Sequence, residues 1–265
     1  MVGRCLILLL ISCESFAQTY VGPSYQAMGQ TGTALEGIYS ITANPAGLAG
    51  LHGIALSVDY QHHFLTTDIT TQSALLGIPT QLGTWAAMVR RHGIEGAYHD
   101  TKGGMAFAKR FGSSLSVGMA AGYHQLYIPN YLSAHSFSVD IGIQYHFEWG
   151  STIGLQYTNV GDADYGAAVY GTIPSYLKVG FSYPLAAVTV AADVAYRVED
   201  GLDGHLGVAY WIGNILCLRG GVSVNPLQQY GGFGLRWQQF LLDAAVTFHP
   251  RLGVSPQIGV GYAFQ

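Results

Sequence analysis

The chain closes on SPQIGVGYAFQ, residues 255–265, in which Ile258, Val260, Tyr262 and Phe264 alternate with Gly259, Gly261 and Ala263. A side-chain period of two is that of a β-strand, here with one apolar face and one face of small residues. Such an apolar face has to be covered by a helix, a second sheet or lipid. The rest of the sequence decides which.

The same alternation recurs. Phe137, Val139, Ile141, Ile143, Tyr145 and Phe147 alternate with Ser138, Asp140, Gly142, Gln144 and His146. Leu115, Val117, Met119, Ala121 and Tyr123 alternate with Ser116, Gly118, Ala120, Gly122 and His124, and Leu216, Leu218 and Val222 with Cys217, Arg219 and Ser223. After the first twenty residues no run of 18 apolar residues occurs, which excludes transmembrane helices.

A β-sandwich also alternates, but it turns charged and β-branched residues to water. Here the second face is mostly Gly, Ala, Ser and Gln with isolated charges of both signs. That composition suits a crowded barrel interior. Only 10% of the residues are charged, against roughly 25% in a soluble domain. Aromatic residues gather near strand ends, among them Tyr60, Tyr145, Phe147, Tyr183, Tyr196, Tyr210, Trp237, Phe248 and Phe264, as interfacial girdles do.

The pattern divides into about fourteen strands between 52–64 and 255–264. Connections after even-numbered strands are tight, whereas those after odd-numbered strands are expected to be longer, the longest from Gly161 to Pro174. The expected fold is therefore all-β, a transmembrane antiparallel barrel of the cell outer membrane spanning residues 51–265. The last strand meets the first and removes both edges.

Ahead of the barrel the sequence has two parts. Residues 1–17, MVGRCLILLLISCESFA, read as a secretory signal peptide: Arg4, the apolar run Cys5–Ile11, and Ser15-Phe16-Ala17 before the cut. A lipoprotein signal acylated at Cys13, within Leu10-Ile11-Ser12-Cys13, is the competing reading. Either way Cys217 lacks an internal disulfide partner after Gln18. Residues 18–50 do not alternate. Their glycines and NPAG, residues 44–47, predict turns around a short helical stretch over Thr33–Tyr39. Met28, Leu35, Ile38, Ile41 and Leu48 make this segment too apolar for a solvated tail. A plug inside the lumen is expected instead, with Gly118, Gly122, Gly142, Gly180, Gly207, Gly221, Gly232 and Gly234 letting it lie close to the wall.

AMGQTGTALEGIYSITANPAGLAGL, residues 27–51, resembles the N-terminal motif of the long-chain fatty-acid transporter superfamily, including its PorV/PorQ branch of Bacteroidetes-type bacteria. The end of the chain, LRGGVSVNPLQQYGGFGLRW at 218–237 and LDAAVTFHPRLGVSPQIGVGYAF at 242–264, is similar to PorV/PorQ barrels. The resemblance implies a fourteen-stranded barrel with an N-terminal hatch, whose motif would be Asn44, Pro45, Ala46 and Gly47. It also implies either transport of small hydrophobic molecules or an accessory role in type IX secretion. The transporters carry large external loops that form a hydrophobic capture site; the external connections here are short.

Lys178, Arg197, Arg219 and Arg236, with Asp140, Asp193 and Asp243, fall on the inward face. They could line a selective aqueous path, or pair across strands and anchor the hatch. Ten histidines are present, yet no Gly-x-Ser-x-Gly elbow and no HExxH spacing accompany them, so neither an enzyme nor a metal site is expected, and no cofactor. VRRHG at 89–93 interrupts the alternation and suggests a bulge or an opening in the wall. RVEDGLDG at 197–204 reads as a hairpin turn. The net charge of −4, without a basic cluster, argues against nucleic acid. The expected partners are the lipid bilayer, a small hydrophobic ligand or secretion-system proteins. A non-conducting interaction barrel is the alternative function.

Overall fold

The computed structural model describes residues 20–65, 68–166, 173–197 and 201–264. The leader expected over 1–17, and Gln18 at the start of the expected plug, lie outside them. Fourteen strands follow one another: β1 Ala55–His62, β2 Ile69–Pro79, β3 Thr84–Ile94, β4 Tyr98–Phe111, β5 Leu115–Ile128, β6 Leu132–His146, β7 Thr152–Thr158, β8 Tyr176–Leu185, β9 Val188–Arg197, β10 Gly201–Ile212, β11 Leu216–Val224, β12 Leu227–Trp237, β13 Phe240–His249 and β14 Gly253–Ala263. Each pairs antiparallel with its neighbours in sequence, and β14 pairs with β1 from Ala55↔Ala263 to Gln61↔Gln257, closing the barrel. Closure leaves neither end of the sheet open, a requirement for a sheet placed in hydrocarbon, and β6 runs on past β7, their register ending at Ile141↔Tyr157.

The closing stretch behaves as its alternation demands. On β14 and just past its end, Ile258, Val260 and Phe264 face outward, with Val260 52% exposed, while Ser255 and Gln257 are buried. The Phe264 N–H also donates to the Ile54 carbonyl at 2.8 Å, extending the seam beyond the strands. Aromatic rings ring the end that carries the turns after even-numbered strands. Trp85 packs on Phe107 with centroids 4.7 Å apart, Phe240 on Tyr262 at 5.1 Å and Tyr262 on Phe264 at 4.6 Å. Among the described residues no helix is long and apolar enough to cross a membrane.

Three expectations are corrected. VRRHG produces no bulge: β3 pairs without interruption with β2, from Ile69↔Ile94 to Pro79↔Thr84, and with β4, from Thr84↔Ala108 to Ile94↔Tyr98. The alternation is masked because both faces are polar there, with Arg90 bonded to Asp100 and His92 to Thr71 on the inside. Connections after odd-numbered strands are long only at 63–68 and 159–175, because strands such as β4, β5 and β6 run on past the others. The helical stretch also differs. A short helix α1 covers Pro23–Ala27 and 3₁₀ turns cover Ile38–Ile41 and Pro45–Gly50, whereas Thr33–Gly37 is not helical. The backbone at 32–34 is engaged with the wall instead, as described next.

Candidate functional site

Residues 20–51 run around the inner face of the wall and meet the strands in turn. The Tyr20 hydroxyl reaches Asp59 on β1 and Ser73 on β2. Gln257 on β14 donates to the Val21 carbonyl at 3.2 Å, and Gln26 on α1 donates to Thr247 on β13 at 2.7 Å. His205 Nδ1 on β10 lies 2.8 Å from the Gly29 carbonyl. Asp193 on β9 accepts the N–H groups of Gly32 and Thr33 and the Thr33 hydroxyl at 2.9, 3.0 and 2.8 Å. Ser182 on β8 donates to the Ala34 carbonyl, and Gln144 on β6 donates to those of Thr33 and Leu35. At the turn end, Arg110 on β4 pairs with Glu36, and His146 Nε2 is 3.5 Å from the same carboxylate.

Such an approach requires a wall without side chains at the points of contact. A Cβ at Gly118 would strike Pro45 and Ala46, one at Gly142 would strike Asn44, and one at Gly180 would strike Thr33. Gly207 and Gly221 are closed against Met28 and Gly29, and Gly232 against Ala27. Two of the glycines singled out in the sequence do something else. Gly122 makes room for Lys102 and His124, and Gly234 for Arg219 and Asp243.

The NPAG turn follows from local chemistry. The Asn44 side-chain oxygen caps the 3₁₀ turn by accepting the Ala46 N–H at 3.1 Å, and Pro45 occupies the first position, where no donor is needed. The Asn44 amide group faces the carbonyls of Thr33, Ile143 and Leu155 at 2.7, 3.2 and 3.3 Å, bridging the segment and the β6–β7 ladder. Gly47 sits where a Cβ would meet Leu35 and Ser40. Asn44 through Gly47 are all buried.

The seven inward charges do not form one cluster. Arg219 and Asp243 pair at 2.5 Å. Asp140 accepts the Asn159 N–H at 2.8 Å and lies 3.5 Å from Lys102. Lys178 is buried and directs its ammonium toward the Gln30 carbonyl at 3.5 Å. Arg197 stacks on Tyr176 at 5.4 Å. Arg236 stands at the strand end, exposed, over Trp211 at 4.9 Å.

One element of this arrangement was not singled out in the sequence. Asp59 is 3% exposed, and its carboxylate accepts from Tyr20, Tyr39, Ser57 and Ser73 at 2.8 to 3.0 Å. Burial, and then the Asp59 charge, hold the Tyr20 and Tyr39 phenols well above their usual range, so both remain donors. Inward parity in ALSVDYQH was the available signal, since Ser57, Asp59 and Gln61 share one face.

Apart from Ser73 on β2 and Arg110 on β4, the contacts on the arc from β2 to β5 are of another kind. Between β2 and β5 the segment packs with Leu75, Ala86, Met88, Ala106, Ala108 and Ala120 through Val21, Ile41 and Leu48, and the partly buried Ile38 and Leu51 pack against this cluster. This seam is apolar and lined on the wall side chiefly by alanine. Among the described residues no group of three His, Cys, Asp or Glu could hold a metal ion. Two of the histidines, His63 and His92, flank the Thr71 hydroxyl at 2.8 Å each.

The geometry defines a closed fourteen-strand barrel with an N-terminal segment seated on its inner wall. Solved structures share that fold. The Pseudomonas putida toluene transporter TodX superposes with a TM-score of 0.73 at 13% identity, covering 93% of this chain and 99% of that one. The CymD monoaromatic hydrocarbon channel gives 0.69 at 16% identity over 95% and 99%. A Pseudomonas aeruginosa FadL homologue gives 0.65 at 10% identity over 92% and 98%. No protein-family model matches the chain, and no curated protein does.

Proposed function

We propose that the chain is an outer-membrane barrel that passes small hydrophobic molecules, with residues 18–50 as a plug that closes the lumen and residues 1–17 as its cleaved leader. The observation that carries this reading is the asymmetry of the plug's attachment. From β6 around to β1 the segment is tied by side-chain hydrogen bonds, whereas between β2 and β5 it rests mainly on an alanine-lined apolar seam, flanked by the polar contacts of Tyr20 with Ser73 on β2 and of Glu36 with Arg110 on β4. A hydrophobic solute can part an apolar contact without leaving buried donors unpaired, and it cannot do so along a hydrogen-bonded one. The similarity to hydrocarbon transporters supports the same substrate class. In this reading Asn44–Gly47 hold the plug, while Asp140, Lys178, Asp193, Arg197, Arg219, Arg236 and Asp243 serve anchoring and wall pairing rather than an aqueous path.

A non-conducting interaction barrel is the second reading, favoured by the near-continuous ring of bonds around the segment. The accessory role in secretion rests on the PorV/PorQ resemblance at the two ends of the chain, and the similar structures add nothing to it. Uptake of a small hydrophobic dye by liposomes separates the readings. The mature chain is expected to admit dye, and a chain lacking Gln18–Gly50 to admit it faster and to conduct ions. If both fold as heat-modifiable barrels and neither admits dye, transport is excluded.

A further inference from the structure

The outer wall of β14, β1, β2 and β3 carries a groove of about 500 Å³. Its floor is two consecutive outward rows of the sheet. The first is Val260, Val58, Ala74 and Val89, which face one another across the four strands. The second is Ile258, Tyr60, Gln72 and Arg91. Ala74 is the smallest member of its row and makes the depression, and Arg91 stands at one corner, exposed. Its guanidinium lies 3.3 Å from His99 Nδ1 on the next strand.

This wall is unlike the opposite one. Counted from the turn end, the outward face of β3 is apolar at Trp85, Ala87 and Val89 and then charged at Arg91; β2 runs Ile78, Leu76, Ala74 and then Gln72. On β13, the strand beside β14, the apolar run continues through Phe240, Leu242, Ala244, Val246 and Phe248, and on β9, across the barrel, through Val188, Val190, Ala192, Val194 and Tyr196. An apolar band about 25 Å tall surrounds a barrel of this kind. Arg91, the fourth outward residue of β3 from the turn end, is therefore charged where the fourth outward residue of β9 across the barrel, Val194, is still apolar. A lipid-facing guanidinium needs an anion, and phosphate is the anion its geometry suits.

We propose that this groove is a binding site for a phosphate-bearing lipid of the outer leaflet: one acyl chain lies along Val58, Ala74 and Val89, and the phosphate meets Arg91 and Gln72. Charge complementarity at Arg91 selects the occupant, and the polar end of the groove lies away from the turn end, on the outer-leaflet side of a barrel with short periplasmic turns. The site is on the outside of the wall and is independent of any passage through the lumen.

The test is native mass spectrometry of the full mature chain in detergent, titrated with dioleoylphosphatidic acid or with dioleoylglycerol, which has the same chains and no phosphate. The wild type is expected to retain phosphatidic acid at least tenfold better than the diacylglycerol. Arg91→Gln should abolish that preference, and Ala74→Trp should reduce retention of both lipids. Arg91→Gln binding phosphatidic acid as well as the wild type, equal retention of the two lipids by the wild type, or a dimer mass that excludes lipid would each overturn the proposal. If Ala74→Trp does not form a heat-modifiable barrel, the Arg91→Gln comparison decides alone.

Discussion

The backbone N–H and the hydroxyl of Thr33 both donate to one oxygen of Asp193, at 3.0 and 2.8 Å, across 160 residues of sequence. With the Gly32 N–H, that carboxylate oxygen anchors the segment where it turns from β10 toward β7. Replacing Asp193 by Ala strands three donors, each worth about 1–3 kcal/mol when buried and unpaired. The expected result is loss of hydrogen-exchange protection at residues 30–35 in a barrel that stays heat-modifiable. Unchanged protection there would show that the wall glycines alone hold the segment.

Gly142→Val would put a side chain where the Asn44 amide lies, whereas Gly103→Ala enters open space. Protease digestion of reconstituted protein should cut within residues 20–50 of the first variant and leave the second as resistant as the wild type. Equal resistance of both would mean that β6 can yield without moving Asn44.

Ala106→Phe and Ala108→Phe fill the apolar seam from the wall side. Overpacking a buried position costs about 1–3 kcal/mol, which leaves the barrel intact. Dye uptake should fall in both variants while the lipid-binding groove outside is unaffected. Undiminished uptake would move the route away from the β2–β5 arc.

Arg219 and Asp243 are 9% and 11% exposed at the side chain and face each other across Gly234. Removing one partner of such a pair costs about 3–5 kcal/mol, and removing both costs much less. Arg219→Met should therefore lower the unfolding temperature in detergent more than the Arg219→Met/Asp243→Leu double variant. A double variant as weak as the single one would show that the charges act separately.

His63, just beyond β1, has its pKa lowered to about 4 by burial and then by the charges of His92, His62 and Arg90. The folded state thus binds fewer protons at this residue than the unfolded chain between about 4 and 6.5. Its contribution to stability is complete above pH 6.5 and is lost as pH falls toward 4. The protection factors of the amides at 62–65, taken relative to the intrinsic exchange rate at each pH, should fall over that interval, and His63→Gln should flatten the dependence. A wild-type profile flat from pH 7 to 4 would contradict the burial account.

Strand number and facing were legible because alternation reports burial directly: Phe137 to Phe147 and Ile258 to Phe264 needed no partner to be assigned. What the alternation could not report was pairing, so VRRHG looked broken where the sheet is continuous. The inward charges were visible by parity, but their partners come from other strands or from residues 20–51. Arg236 has the parity of a lumen residue and ends on Trp211 at the rim. NPAG was visible as a turn; that Asn44 spans to Ile143 and Leu155 depends on contacts about a hundred residues away.

Gly259 on the last strand is packed against Asp59 of the first strand and against Pro23 and Tyr39 of the inner segment. The sealing joint of the cylinder thus falls on the cluster built by residues that precede the wall in sequence. In the order of synthesis the segment comes before any of the wall, as a mandrel comes before the sheet rolled on it. Residues that hold the segment in the finished molecule stand at the place where the roll is joined, so one cluster serves both the seated segment and the seam.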